Sequence, residues 1–404
     1  MVNKLWNKNF ILLLQASAIS TIGDLMYSVA IGYWVYAQTG SSALMGIMSS
    51  ISMFVTMFLS PFSGSVVDKC NRKWVLVIGD LFQGGLMITI GFLAFVDRLN
   101  VPIVLIAAFL ASFGGVFYAP AANTSLVDII PRDEIVRGQS LFSGVATIIN
   151  MVGTALSGVM VAFFGVPLII VINGLSNLYS AFSELFISIP QTVQEGERVT
   201  VKGISRDTKQ AVKDIFSDPH VSLFIPCLII INLLASGPFT LILPFTMEKG
   251  FSVEQYGYLM SVWTAAALIA VTILGVIKFS PKARFGILSI SFIISSLFMA
   301  LTFLATDFVT MCIFAFISGA LNTAGNSIFN ASLMLALPQK NRGAIMGFVS
   351  SACTGGSAIS ALIYGILGEV FPLYIVFVVG TVLSLLPILY LCTNKKTKDF
   401  ILTH

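Results

Sequence analysis

Twelve apolar stretches, each of about 20 residues or more, take up most of this 404-residue chain. They lie at roughly 10–36, 43–67, 74–96, 101–122, 136–163, 165–189, 219–247, 254–277, 284–305, 308–335, 343–367 and 370–392. A helix needs about 20 mainly apolar residues to cross a hydrocarbon core of about 30 Å. The expected fold is therefore an all-α polytopic membrane protein. Composition agrees: 57% of the residues are hydrophobic and 10% charged, where a soluble chain carries roughly 25% charged residues. Short Gly or Pro turns join several pairs, at Thr39-Gly40-Ser41, at Gly165 and Pro167, and from Gly368 to Pro372; these read as tight hairpins. Lys4 and Lys8 before the first run superficially resemble a signal peptide, but the run continues to about Val35, holds an acid and lacks a clear small-residue cleavage site. It is read as a retained first helix.

The 22 Lys and Arg residues stand outside these stretches or at their edges. Lys4 and Lys8; Lys69, Arg72 and Lys73; Arg132 and Arg137; Arg198, Lys202, Arg206, Lys209 and Lys213; Lys278, Lys282 and Arg284; Lys340 and Arg342; and Lys395, Lys396 and Lys398 fall at the termini and in alternate connections, leaving Arg98 and Lys249 for the other side. By the positive-inside rule both termini are expected in the cytoplasm, in a bacterial-type plasma membrane. The net charge of +4 then reflects contact with anionic inner-leaflet lipid rather than an acidic partner. No basic patch interleaved with aromatics and no zinc-finger spacing points to nucleic acid. The five cysteines, at 70, 227, 312, 353 and 392, make no disulfide framework or metal-ligand spacing. No cofactor and no metal is expected.

Two halves are expected. The long connection of about 190–218 separates residues 1–189 from 219–404, and within it Ile204, Val212, Ile215 and Phe216 among charged residues suggest a surface helix lying along the membrane; a plain polar linker is the other reading. Asn123-Thr124-Ser125-Leu126, Pro131 and Arg137-Gly138 recur as Asn330-Ala331-Ser332-Leu333, Pro338 and Arg342-Gly343. The match places the fourth-to-fifth connection over the tenth-to-eleventh, as a parallel duplication of six helices would.

Between the second and third stretches runs Gly64-Ser65-Val66-Val67-Asp68-Lys69-Cys70-Asn71-Arg72-Lys73. It closely resembles the signature of the major facilitator superfamily, with Asn71 where that signature has glycine; Asn tolerates a left-handed turn somewhat as glycine does. The resemblance implies the major facilitator fold, twelve transmembrane helices in two six-helix bundles, and a cytoplasmic gate formed by Gly64, Asp68, Lys69, Arg72 and Lys73. The residues themselves allow Gly64 to permit close helix approach and Asp68 to pair with an arginine or meet a helix start. Lys69, Arg72 and Lys73 also serve as topology signals. Asp128 can pair with Arg137 or with the Arg72 cluster, Arg342 repeats Arg137, and Asp80, about two turns into the third span, is expected as an interior polar contact near the same mouth.

Asp24 and Glu184 lie at membrane depth with no Lys or Arg in any span to pair with. A carboxylate without a cation in low dielectric favours its neutral acid, which is what proton coupling requires. Hydrogen bonding to Ser, Thr or Asn merely to hold helices together is the alternative. The run Gly23-Asp24, Val29-Ala30, Trp34-Val35 and Thr39-Gly40-Ser41 resembles the macrolide-efflux and siderophore-exporter branch, implying proton-driven export of bulky amphiphiles. The fifth span has Gly144, Gly153 and Gly158, but Thr154 stands where drug and proton antiporters of this superfamily carry proline.

Pro226, Pro238 and Pro244 predict a broken or flexible seventh helix at the extracellular gate. Asn322, Asn326 and Asn330 form one stripe at helical spacing. Together with Asn232, Tyr27, Trp34, Phe54, Phe58 and Trp263 they are candidates for cavity lining, although packing and lipid contact are the default for any one aromatic. Such a cavity suits a neutral or cationic small amphiphilic substrate. Neither a phosphate loop nor a nucleophile and base constellation is present, so direct ATP use and enzyme activity are not expected. Three functions stay open: a monomeric proton-coupled exporter in contact with membrane lipids, a lipid or lysophospholipid flippase or importer on the same fold, and a non-transporting scaffold or receptor.

Overall fold

The computed structural model describes residues 5–190, 221–276, 281–336 and 342–394. The expected surface helix at 190–218 and Pro338 lie outside this range. Helix α1 (Lys8–Thr39) starts on Asn7, whose side chain accepts from Phe10 N, and stops at Gly40, where φ is 64°. That left-handed conformation favours glycine. There follow α2 (Ser42–Lys69), α3 (Arg72–Phe95), α4 (Val101–Ile129), a 3₁₀ turn (Arg132–Glu134), α5 (Ile135–Phe164) and α6 (Val166–Leu185). The second half has α7 (Val221–Thr240), α8 (Ile242–Glu248), α9 (Val253–Val276), α10 (Pro281–Leu304), α11 (Phe308–Ala336), α12 (Arg342–Leu367) and α13 (Leu373–Thr393).

Among the described residues, 11 helices are long and apolar enough to cross a membrane, and the bent pair α7 and α8 makes a twelfth span. The chain is an all-α polytopic membrane protein, as expected. The seventh span is broken as its prolines predict, with a bend of 49° between α7 and α8. Pro238 has no N–H to give the Leu234 carbonyl one turn earlier. That carbonyl instead accepts from the Tyr364 hydroxyl, and Gly237 N donates to Ser360 Oγ at 2.8 Å. Neighbouring helices thus satisfy the backbone that the break exposes.

The helices group into two compact units. One comprises Met1–Gly40 and Phe54–Thr200, the other Ser41–Met53 and Val201–His404. The sequence suggests a division at the long connection, but contacts also place the first turns of α2 in the second unit. There a Cβ on Gly46 would meet the Ala361 carbonyl at 2.3 Å, and one on Gly365 would meet the Ser42 carbonyl at 2.9 Å. Small residues allow this approach of α2 to α12, since lipid supplies no hydrophobic drive between helices. Ser42 Oγ and Ser50 Oγ add bonds of 2.9 and 2.7 Å to the carbonyls of Gly365 and Ala358.

In the first unit α3 and α6 pack most closely at glycines. A Cβ on Gly84 would meet Gly174 O at 2.9 Å, and one on Gly174 would meet Gly84 O at 3.0 Å. This antiparallel crossing carries Asp80 on α3 to the level of Ser180 on α6, which positions the site described next.

Candidate functional site

The connection from α2 to α3 is a knot of charge within the first unit. Arg72 opens α3, and its Nη2 lies 3.1 Å from Asp68 Oδ1 on α2. Its Nη1 makes a shorter contact with Asp128 Oδ2 on α4. One guanidinium therefore ties three helices, in the forked geometry that arginine offers two carboxylates. Arg72 and Asp128 side chains are 15% and 25% exposed and Asp68 is 55% exposed, so the Asp128 contact is the less screened of the two. Of the two partners open to Asp128, Arg72 is the one taken. Arg137 instead lies 3.5 Å from Glu134.

Lys73 Nζ donates to the Leu185 carbonyl at 2.7 Å, a cation at the C-terminal end of α6. Two expectations are corrected here. Asn71 is not left-handed: its φ is −69° and its side chain accepts from Trp74 N as the cap of α3, a common use of Asn at a helix start. Gly64 is not at a close approach, since a Cβ there would meet nothing within 4 Å. Lys69 ends α2 and Arg342 begins α12.

Deeper in the first unit lie three acids. Asp24 is halfway along α1 and exposed. Close approach of α1 to α6 at Gly23, where a Cβ would meet Ser176 Oγ at 2.2 Å, brings Asp24 Oδ1 within 3.4 Å of Asn177 Nδ2. Asn177 Nδ2 also reaches Asn173 Oδ1 at 2.8 Å. Glu184, in the last turn of α6, is 0% exposed. Its Oε1 accepts from the Tyr118 hydroxyl at 3.1 Å, and Tyr118 and Ser17 share a hydrogen bond of 2.9 Å. With the Tyr118 proton directed at Glu184, Ser17 is the donor to Tyr118. Glu184 Oε2 has no hydrogen-bond partner among the described residues.

Asp80 is expected from its sequence position as an interior polar contact near the cytoplasmic mouth, grouped with the gate residues. It is 3% exposed and outside the Arg72 knot, beside Ser180 and within electrostatic range of Asp24 and Glu184. Asp80 Oδ2, Gln83 Oε1 and Ser180 Oγ are buried without a hydrogen bond among the described residues. Two sealed carboxyl groups thus neighbour an exposed one, and the basic residues of the surrounding helices α1, α3 and α6 stand only at their ends, as Lys8, Arg72 and Lys73. The charged forms of such groups are costly. Tyr118 and Ser17 also line a cavity of about 180 Å³ with Thr21 and Asn123. The Tyr118 hydroxyl accordingly links sealed Glu184 to open space.

The second unit holds a larger cavity of about 330 Å³ between α7, α9, α10, α11 and α13. Of the proposed lining residues, Asn232, Trp263, Asn322 and Asn326 border it. Tyr27, Trp34, Phe54 and Phe58 border neither this cavity nor the smaller one; Phe54 and Phe58 stack on each other along α2 at 6.4 Å. The sequence reading missed Tyr118, Asn173, Asn177, Gln83 and Ser180. Asn173 and Asn177 carried the same four-residue amide spacing that drew attention to Asn322 and Asn326. Tyr118 carried no local signal. Among the described residues no group of three or more His, Cys, Asp or Glu could hold a metal ion.

Comparison with known proteins places this architecture. The chain is 23% identical over 304 residues, 72% of its length and 69% of the relative's, to the uncharacterized MFS-type transporter YkuC of Bacillus subtilis (strain 168). It is 23% identical over 194 residues to macrolide efflux protein A of Streptococcus pyogenes, a match of 48% of this chain and 47% of that protein, about half the length of each. The fold superposes on the crystal structure of the nucleoside transporter NupG with a TM-score of 0.72 at 14% identity, covering 94% of this chain and 98% of that one. The sequence model described as Major Facilitator Superfamily matches residues 13–277 and 227–400. With both halves matched and its helices superposed on a solved transporter, the chain belongs to the Major Facilitator Superfamily and is a secondary transporter of small molecules.

Proposed function

We propose that the chain is a proton-driven exporter of amphiphilic small molecules, a monomer working by alternating access in a bacterial plasma membrane with both termini in the cytoplasm. The observation that carries the reading is the group of acids in the first unit. Asp24 is exposed at mid-helix while Asp80 and Glu184 are buried, and the basic residues of their helices, Lys8, Arg72 and Lys73, stand at the helix starts. A carboxyl group in such surroundings gains a proton when open to an acidic side and releases it when open to a neutral one. Asp24 is the group that exchanges with solvent. In the anionic form it accepts from the Asn177 amide; in the neutral form it accepts more weakly, so protonation and the α1–α6 contact are linked.

Glu184 is the second proton site. Tyr118 and Ser17 form a hydroxyl pair through which it meets the smaller cavity, and a hydroxyl pair can hand a proton along without carrying charge itself. Asp80 lies within electrostatic range of both acids, so charging it and Glu184 together is disfavoured. Amphiphile export is supported by the likeness to macrolide efflux protein A, and cytoplasmic termini by the basic residues that flank the spans.

Everted membrane vesicles with an imposed pH gradient test the reading, using a fluorescent amphiphile as cargo. Accumulation should follow the gradient and collapse with a protonophore. Unchanged accumulation in Asp24→Asn would sink the assignment of Asp24. Movement of a spin-labelled lipid without a gradient would favour the flippase instead. Cysteine labelling that placed residue 200 outside the cell would overturn the orientation.

A further inference from the structure

We infer that the 330 Å³ cavity of the second unit is a binding site for the uncharged, ring-bearing part of an amphiphile, and that ligand and proton occupy different units. The inference rests on the transport reading only in taking the occupant to be cargo; the site itself stands on its own geometry. Its volume is at the small end of ligand pockets, which span about 300–1,000 Å³. No Asp, Glu, Lys, Arg or His is among the lining residues. A charged group placed there would lose its hydration with no counter-charge in return. Ligand charge is therefore excluded by the walls.

Four of the lining side chains are aromatic, Phe239, Trp263, Phe292 and Phe329, and two of these rings lie against glycines. Trp263 lies against α11 at Gly319, where a Cβ would stand 3.3 Å from the indole, and Phe292 lies against the same helix at Gly325, where the distance would be 3.2 Å. A Cβ at either position would press on the ring and require it to shift by a few tenths of an ångström. Phe239 meets Trp263 edge to face, with centroids 4.6 Å apart, which fixes the indole on its other flank. Rigid ring faces with space between them favour a planar or fused-ring guest over a flexible chain.

Three amides supply the polar edge. Asn326 Nδ2 donates to Asn322 O and Oδ1, each at 2.9 Å. This leaves Asn326 Oδ1 as an acceptor and Asn322 Nδ2 as a donor. Asn232 Nδ2 donates to Leu228 O at 3.0 Å, leaving its Oδ1 as a second acceptor. Ser295 and Ser318, by contrast, bond to each other's carbonyls at 3.0 and 2.9 Å and take no part in recognition. The site thus matches an uncharged ring system with a hydroxyl or carbonyl on its edge. Because the acids lie in the other unit, cargo and proton do not compete for one carboxylate, and their coupling runs through conformation.

Three probes sharing one ring separate charge from shape: 2-naphthalenemethanol, 2-naphthylmethylammonium and 2-naphthoate, titrated against the purified full chain by tryptophan quenching and calorimetry. The alcohol should bind at least about tenfold more tightly than either ion. Trp263→Ala and Asn322→Ala should each weaken it by about five- to tenfold, and Trp263→Phe should retain most of the affinity. Asp24→Asn, which stops transport under the reading above, should leave alcohol binding in place. Equal binding of the three probes, wild-type affinity in both alanine variants, or loss of binding in Asp24→Asn overturns the inference. Should Trp263→Ala fail to fold, Asn322→Ala decides. Probe binding without gradient-driven accumulation would remove the export reading and leave the site standing.

Discussion

The two halves of the chain carry six spans each among the described residues, counting α7 and α8 as one, and a repeated sequence motif, yet their interiors differ chemically. The first buries Asp80 and Glu184 and exposes Asp24 at mid-helix. The second surrounds its cavity with amides, hydroxyls, rings and aliphatic side chains, and with no charged residue. Under the proposed reading, the first unit holds protons and the second holds neutral matter. The difference teaches that charge in a membrane interior is confined to where it is used, because every buried carboxylate costs stability that a Ser or Asn does not.

The largest effect should come from exchanging these chemistries. Asp24→Asn is expected to reduce gradient-driven accumulation in vesicles at least about tenfold, whereas Asn322→Ala should raise the half-saturating cargo concentration and leave the pH dependence unchanged. If both variants shift the pH profile alike, the separation of roles fails. Next in size are the glycine contacts. Gly46→Leu, aimed at the Ala361 carbonyl, should cost about 1–3 kcal/mol by overpacking, read as a lower melting temperature of the purified protein. Gly64→Ala, with nothing within 4 Å, should instead gain up to about 1 kcal/mol from helix propensity.

Within the Arg72 knot the ranking follows exposure. Asp128→Ala should destabilise by about 1–3 kcal/mol, since it strips the less exposed partner from a mostly buried guanidinium. Asp68→Ala, at the exposed partner, should cost no more than about 1 kcal/mol. The reverse ranking in thermal melts would show that Asp68 is the principal anchor.

The smallest effect belongs to Glu369 in the turn before α13. It accepts from Ala43 N at 2.9 Å and Ser41 Oγ at 2.7 Å, and these bonds, the Ala43 N–H first, hold its carboxyl below the usual range. A depressed folded value means that the contribution is complete above the unfolded value and is lost as pH falls through the folded one. Wild type should therefore lose an increment of melting temperature on acidification below the ordinary carboxylate range that Glu369→Gln does not. Parallel curves for the two proteins would show that the cap contributes nothing.

The fold was legible because span length, hairpin glycines and the Gly64–Lys73 motif each report on local constraints. The break of the seventh span followed from Pro238 and Pro244 for the same reason. Asp24 and Glu184 stood out because a carboxylate inside an apolar run is conspicuous in any window. What stayed hidden depends on register between distant helices. Asp80 reads as a residue near a helix end until the Gly84–Gly174 crossing sets it against α6, and Tyr118 is one aromatic among many until Glu184 meets its hydroxyl. Gly64 erred the other way, since a glycine in a motif does not reveal whether another backbone comes near it.

The carbonyl of Leu234 illustrates a different kind of dependence. Pro238 leaves it free, Tyr364 fills it from α12, and Gly380 on α13 makes room for that phenol, where a Cβ would stand 1.5 Å from the hydroxyl oxygen. These three positions on three helices therefore form one mutational unit. Gly380→Ala alone should be severe, and much milder when Tyr364→Ala is already present, since the ring carbon Cζ would itself stand 2.5 Å from that Cβ. Such epistasis, read in a double-mutant cycle, would make the broken span a constraint on which sequence changes its neighbours can accept and in what order.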